Sequence, residues 1–155
     1  MFAVVGLGVA VAACGATATQ DETTRDDDGD VVEAGDVGSL SLKVGDCLAA
    51  EAVGEVESVP VVPCSEPHDS ELFYSFQIPD GEYPGDEAVR AITAETCIAE
   101  FEDFIGLAYE DSVWDVSGIF PTEATWNQVD DREVVCGVFP ISGEDTTGSA
   151  RGIAE

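Results

Sequence analysis

Alternation of apolar and polar positions predicts several short strands along this chain. Residues 55–62 alternate and then become apolar, and residues 71–78 form an aliphatic and aromatic run that ends at turn residues. Residues 113–120 and 133–139 have comparable patterns, and residues 40–44 alternate over a shorter length. We therefore expect these five segments to be strands separated by turns.

One segment has helical rather than strand periodicity, from Pro84 to Ile105. Its apolar positions recur at helical spacing and form a single stripe of Val89, Ile92, Thr96, Cys97, Phe101 and Phe104. Asp86 suits the first turn beside the positive end of the helix dipole, and Gly106 suits the C-terminal cap. A shorter helical turn is expected from 121 to 126. The elements together predict an α+β fold, a small mostly antiparallel sheet packed against one long helix.

The N-terminal run, residues 2–13, is apolar and uncharged and leads to Val11-Ala12-Ala13-Cys14. Twelve helical residues extend about 18 Å, which is too short to cross the ~30 Å hydrocarbon core of a bilayer. The run is typical of a signal-peptide core. An aliphatic residue, two small residues and Cys resemble the lipobox of bacterial lipoproteins, which implies lipidation of Cys14 and attachment to the membrane. We predict a lipoprotein signal peptide over 1–14.

A signal peptide usually begins with Lys or Arg, and neither precedes this apolar run. We therefore expect the initiator of the full protein to lie upstream of Met1.

Residues 15–39 are rich in Gly, Thr, Asp and Glu and contain few large apolar side chains. Eight acidic residues and one Arg lie between Asp21 and Asp36. Such a composition buries too little apolar surface to offset the entropy lost on ordering. We predict a disordered acidic tether over 15–39, a folded domain over 40–141 and a flexible tail over 142–155.

The net charge of −28 comes from 33 acidic and 5 basic residues. Nucleic acid is therefore excluded as a partner, because phosphate binding depends on Lys and Arg. We interpret the charge as a solvated surface. A surface for divalent cations is the alternative, but the acidic run 26–30 lacks the ligand spacing and closing Glu of a calcium loop. We expect neither a metal nor another cofactor.

The five cysteines divide into Cys14 and four in the predicted domain. In an extracytoplasmic compartment the four are expected to form disulfides. Three connectivities are open, and sequence alone does not choose among them. We favour Cys47–Cys64, which flank a hairpin-like segment, and Cys97–Cys136, which would join the long helix to the last strand. Zinc binding and redox catalysis are disfavoured because the chain has no Cys-x-x-Cys pair.

The segment 63–71 is the densest in chemically active side chains and contains His68, the single histidine. Sequence neighbours rarely supply triad geometry, and no Gly-x-Ser-x-Gly elbow is present, so we expect no catalytic residues. His68 is instead predicted to hydrogen-bond within a turn beside the first disulfide. The alternative is a cell-wall-acting hydrolase or a metal-binding protein that uses His68 and Asp69. Candidate ligand-binding residues are Glu66, His68, Asp69, Trp126 and Arg132.

These motifs resemble the septum formation-related domain of actinobacterial envelope proteins. The resemblance rests on Val44-Gly45-Asp46-Cys47, Val62-Pro63-Cys64-Ser65-Glu66-Pro67-His68-Asp69, Tyr83-Pro84-Gly85, Phe120-Pro121-Thr122-Glu123, Trp126, Asp131-Arg132 and Cys136. Asp130 stands where the family more often has Gly. The resemblance implies a secreted or membrane-anchored binding or structural module, linked to septum formation or the cell wall. It implies a cell-wall or division protein as partner and brings no catalytic mechanism.

Overall fold

The structure is a computed structural model that describes residues 23–52, 54–55 and 57–155. The predicted signal peptide over 1–14, the predicted lipidation site Cys14 and residues 15–22 of the predicted tether lie outside this part. The described residues form strands β1 Thr24–Arg25, β2 Val31–Glu33, β3 Gly35–Gly38, β4 Cys47–Leu48, β5 Ser58–Val62, β6 Ser70–Gln77, β7 Trp114–Ile119 and β8 Glu133–Pro140, and helices α1 Asp86–Ile105 and α2 Glu123–Gln128.

Six strands form one curled antiparallel sheet in the order β3-β5-β4-β6-β8-β7. β1 and β2 pair with each other in a separate two-stranded sheet. The edges of the large sheet are therefore β3 and β7. The predicted fold class is confirmed, because a mostly antiparallel sheet packs against one long helix and two disulfides link its elements.

Helix α1 covers one face of the sheet. Gly85 precedes it with φ of 95°, and Gly106 ends it in the left-handed region with its N–H bonded to the Glu102 carbonyl. The buried stripe comprises Val89, Thr93, Cys97, Phe101, Phe104 and Ile105. A Cβ on Gly118 of β7 would lie 2.4 Å from Thr93 Cγ2, so this close approach of helix and strand requires glycine.

The sheet buries apolar residues on both faces. Between α1 and the sheet, one cluster includes Phe73, Phe101, Phe104, Trp114 and Val138. On the concave face, a second cluster includes Val37, Leu48, Val59, Val61, Leu72 and Val135. The curl of the sheet gives the domain this second core.

Both predicted disulfides are present and their favoured pairing is confirmed. Cys47–Cys64 links β4 to the loop after β5, with the Cα atoms 5.3 Å apart. Cys97–Cys136 links α1 to β8, with the Cα atoms 5.5 Å apart. The second bond holds the helix on the sheet at the centre of the first apolar cluster.

The strand predicted over 40–44 is wrong. Residues Ser39–Ser41 form a 3-10 turn, and the pairing position between β5 and β6 is occupied by β4. Leu42 is nevertheless buried in the concave core, so the alternation reflects burial in a loop.

The predicted tether is also wrong over residues 23–39, which are folded. β3 pairs with β5, and Val31 and Val37 are buried in the concave core. Arg25 forms a two-pronged ion pair with the buried Asp46 carboxylate, with Nη2 2.9 Å from Oδ2. Two valines and one buried ion pair supply the contacts that the overall composition of the segment concealed.

The predicted flexible tail over 142–155 is docked on the domain. Ala150 is 2% exposed within the core beneath α1. The buried Glu71 carboxylate accepts hydrogen bonds of 2.7 Å from both Ser149 Oγ and the Ala150 N–H. The Gly152 N–H donates to the carbonyl of Phe104. A polar composition therefore did not prevent packing, because one buried carboxylate anchors the backbone of the segment.

Replacing Glu71 with Gln is expected to loosen this C-terminal segment. One of the two donors loses its acceptor, which should lower the free energy of unfolding by roughly 1–3 kcal/mol. Hydrogen exchange should accelerate at the Ala150 amide more than in β8. Glu66→Gln is the matched control, because Glu66 is exposed. Unchanged exchange at Ala150 in Glu71→Gln would show that the carboxylate does not anchor the segment.

Candidate functional site

The predicted site residues Glu66, His68 and Asp69 lie in the loop between β5 and β6. His68 is only 1% exposed, and its Nδ1 lies 2.9 Å from the Glu66 carbonyl oxygen. Its backbone N–H and C=O both pair with Thr146 at 2.9 Å. The predicted hydrogen bond within this turn is confirmed, and His68 also joins the turn to the C-terminal segment.

This burial leaves the hydrolase and metal-binding alternatives without geometric support at His68. Glu66 is exposed, and the Asp69 backbone N–H donates to the Leu48 carbonyl. Neither cavity described below is lined by His68 or Asp69. Within residues 23–155 as described, no group of three or more His, Cys, Asp or Glu side chains is arranged to hold a metal ion.

Trp126 and Arg132, the other predicted ligand-binding residues, stack on each other. The Arg132 guanidinium lies 3.7 Å from the centroid of the Trp126 ring, and the edge of Tyr83 contacts that ring at 5.6 Å between centroids. Trp126 is 3% exposed, and its Nε1 donates to the Gly81 carbonyl at 3.0 Å. A ligand would have to displace these residues to reach the indole ring.

Arg132 also ties the chain together around this stack. Its Nη1 donates to the carbonyls of Trp126 and Asp131, and its Nη2 donates to Asp130 at 2.8 Å. Its Nε lies 3.2 Å from the Asp80 carboxylate, close enough for an ion pair but without hydrogen-bond alignment. Asp130 has φ of 58°, the left-handed region that favours glycine. That conformation explains why the resembled family more often has Gly there.

The predicted residues therefore form two separate groups. His68 precedes β6, whereas Arg132 lies beside Ile78 at the other end of that strand, since the Ile78 N–H donates to the Arg132 carbonyl. An eight-residue strand extends roughly 25 Å, so one ligand of ordinary size does not contact both groups.

A groove near α2 is a concave feature of the described surface. It consists of two adjoining cavities of 410 and 580 Å³, which share Glu55, Arg90, Phe120, Thr122 and Ala124. Tyr83 lines the smaller cavity, and its hydroxyl donates to Asp86 at 2.7 Å. Burial, followed by this hydrogen bond to Asp86, raises the pKa of Tyr83 to about 12, so its phenol remains a neutral donor.

The groove lies where the curled sheet fails to close. Gly118 and Phe120, on the face toward α1, line the larger cavity together with Ile119 and Val135 of the concave side. Side chains from the two faces of a sheet can line the same cavity only where the sheet ends. Here that edge is β7. Ser39 and Leu40, which follow the opposite edge strand β3, line the other side.

At the start of β7, side chains of the same segment accept hydrogen bonds from the N–H groups on its outer edge. The Trp114 N–H donates to Ser112 Oγ at 3.1 Å, and the Val116 N–H donates to the Asp115 carboxylate at 2.7 Å. Outward-facing N–H groups alternate along an antiparallel edge strand. The next one belongs to Gly118, which lies in the groove.

The groove carries a strongly negative charge. Six carboxylate residues line its two cavities, against one cationic residue: Glu55, Glu57, Asp86, Glu123, Asp131 and Glu133, with Arg90. Arg90 lies over the Phe120 ring, 5.2 Å from its centroid. The floor is apolar where Leu40, Ile119 and Val135 contribute. No sequence pattern indicates this site, because its residues come from distant segments and carry no shared motif.

The fold and this groove define a small disulfide-linked α+β domain with an acidic cavity at a sheet edge. The family described as Septum formation matches residues 8–112 and 44–155, and the chain belongs to that family. The predicted family is therefore confirmed.

Two relatives in Mycobacterium tuberculosis, from strains CDC 1551 and H37Rv, are each described as an uncharacterized membrane protein. Each is 28% identical over 104 residues, which cover 61% of this chain and 23% of the relative. The chain thus spans about a quarter of the length of these curated relatives. No solved structure matches it. None of the helices in the described part combines the length and hydrophobicity needed to cross a bilayer.

Proposed function

We propose that this protein is a lipid-anchored, extracytoplasmic binding protein of the cell envelope, connected with septum formation or the cell wall. The observation that carries the proposal is the pair of disulfides, because such bonds form and persist in oxidising compartments. The Septum formation family and the description of two relatives as membrane proteins support an envelope location.

Anchoring through Cys14 rests on the lipobox-like Val11-Ala12-Ala13-Cys14. In an actinobacterial host, we expect the wild-type protein to incorporate an alkyne-labelled fatty acid and to sediment with membranes. Cys14→Ser should lose the label completely and leave the membrane fraction, because the thiol that accepts the lipid is gone. Thr19→Ser serves as the control, since it changes a nearby residue outside the lipobox. A labelled Cys14→Ser protein would refute anchoring at this residue.

A binding role, rather than catalysis, is supported by the groove at the sheet edge and by the burial of His68. The groove is concave and combines apolar floor residues with charged walls, as ligand-binding surfaces commonly do. Leu40 lines the groove and is 58% exposed, so it offers a position from which a bound partner can be captured.

The binding role is tested by a photo-crosslinking residue placed at position 40 in intact cells. A discrete adduct with an envelope component is expected there. The control carries the same residue at position 98, since Ile98 of α1 is 39% exposed and lines neither cavity. Equal labelling at both positions, or none at either, would count against a binding site in the groove.

A further inference from the structure

We infer that the groove receives an extended basic peptide segment of a partner protein, which adds as a strand to the outer edge of β7. This inference rests on the binding role proposed above and specifies the chemistry of the partner. Strand addition uses backbone hydrogen bonds for affinity and alternate side chains for specificity.

The backbone of β7 determines where an added strand can pair with it. Its outward N–H groups at Trp114 and Val116 already donate to Ser112 and Asp115, which prevents pairing along the first half of the strand. The outward N–H of Gly118 lies in the groove, between β7 and the segment that follows β3. An added strand therefore begins to pair at Gly118 and continues toward Phe120.

The walls of the groove determine the side chains of the peptide. Successive side chains of an extended strand point to opposite sides. One set faces the concave side, where the carboxylates of Glu57 and Glu133 lie beside the apolar Ile119 and Val135, and the other set faces Phe120 on the side toward α1. An alternation of apolar and basic residues satisfies both. A second copy of this chain does not fit, because its five basic residues occur singly along the sequence.

The test uses the full chain, ¹⁵N-labelled and with its disulfides intact, and two octapeptides, (Lys-Val)₄ and (Glu-Val)₄. Binding is measured by fluorescence anisotropy of the labelled peptides and by amide hydrogen exchange. We expect (Lys-Val)₄ to bind at least tenfold more tightly than (Glu-Val)₄ and to slow exchange of the Gly118 amide at least tenfold. Equal affinities would overturn the charge argument, and unchanged exchange at Gly118 would overturn strand addition.

Charge-reversal variants separate the groove from the overall acidity of the protein. Glu57→Lys/Glu133→Lys should weaken (Lys-Val)₄ binding at least tenfold. The control Glu95→Lys/Glu102→Lys makes the same change in net charge at exposed positions of α1 and should have an effect of less than threefold. Equal effects of the two variants would show that the peptide is attracted by overall charge and would overturn the groove as its site.

Failure of this inference and failure of the proposed function give different results. If (Lys-Val)₄ does not bind but position 40 still crosslinks to an envelope component, the binding role stands and the peptide class is wrong. If neither is observed, the groove is not a binding site.

Discussion

Replacing Arg25 with Met is expected to lower the free energy of unfolding by about 3–5 kcal/mol, because it leaves a buried carboxylate without its cation. Asp46 is 1% exposed, and Arg25 contacts both of its carboxylate oxygens. The same carboxylate accepts a hydrogen bond of 2.9 Å from the Lys43 backbone N–H. The loss is large against a typical total stability of about 5–15 kcal/mol. Urea denaturation followed by tryptophan fluorescence measures it.

Lys43→Met is the control for this experiment, because it removes the same charge from an exposed side chain three residues before Asp46. It should change the free energy of unfolding by less than about 0.5 kcal/mol. The double variant Arg25→Met/Asp46→Asn should recover part of the loss, since a neutral amide costs less to bury than a carboxylate. Equal stability of Arg25→Met and Lys43→Met would mean that the Arg25–Asp46 ion pair does not help to hold residues 23–39 on the domain.

The double variant Cys97→Ala/Cys136→Ala, which removes the second disulfide, is also expected to lower the free energy of unfolding by a large amount. The bond closes a loop of 39 residues, for which the chain-entropy relation gives a loss of about 4 kcal/mol. Cys97 and Cys136 are 1% and 0% exposed, so truncating them also leaves a cavity under α1. The variant is expected to be partly unfolded at 37 °C, measurable by near-ultraviolet circular dichroism.

Cys47→Ala/Cys64→Ala provides the comparison, because its loop is shorter and Cys64 is partly exposed. The same relation gives a loss of about 3 kcal/mol for a loop of 17 residues. We therefore expect stability to decrease from wild type to the variant without Cys47–Cys64, and further to the variant without Cys97–Cys136. The reverse order of the two variants would contradict the central position assigned to the second bond.

The elements that sequence reasoning predicted well are those whose signals are local. The apolar stripe predicted α1, and four of its six residues are buried, namely Val89, Cys97, Phe101 and Phe104. Ile92 and Thr96 are only half-buried, and Thr93 and Ile105 complete the buried face. Gly106 was predicted to end the helix, and its left-handed conformation does so. The disulfide pairing followed from where the cysteines lie relative to the predicted hairpin, helix and last strand.

The parts that were missed depend on contacts between distant residues. Arg25 and Asp46 are 21 residues apart, and Glu71 and Ala150 are 79 apart, so no local pattern links them. Each contact anchors a segment whose composition indicates disorder. The groove was invisible for the same reason, because the curl of the sheet brings residues 39–40 and 118–120 together. His68 drew attention as a chemical group, yet burial gives it a structural role.

Docking of residues 23–39 also limits how far the domain would stand from the bilayer under the proposed anchoring through Cys14. The predicted tether over 15–39 would allow a reach of about 90 Å at roughly 3.5 Å per residue. With Thr23 already on the domain, only eight residues lie between it and Cys14, and these nine Cα steps reach at most about 30 Å. That upper limit exceeds the screening length of roughly 8 Å at physiological salt, so the linker is long enough to keep the acidic domain beyond the repulsion of anionic lipids. Anchored through Cys14 as proposed, the domain would reach partners beside the membrane and not across the depth of the wall.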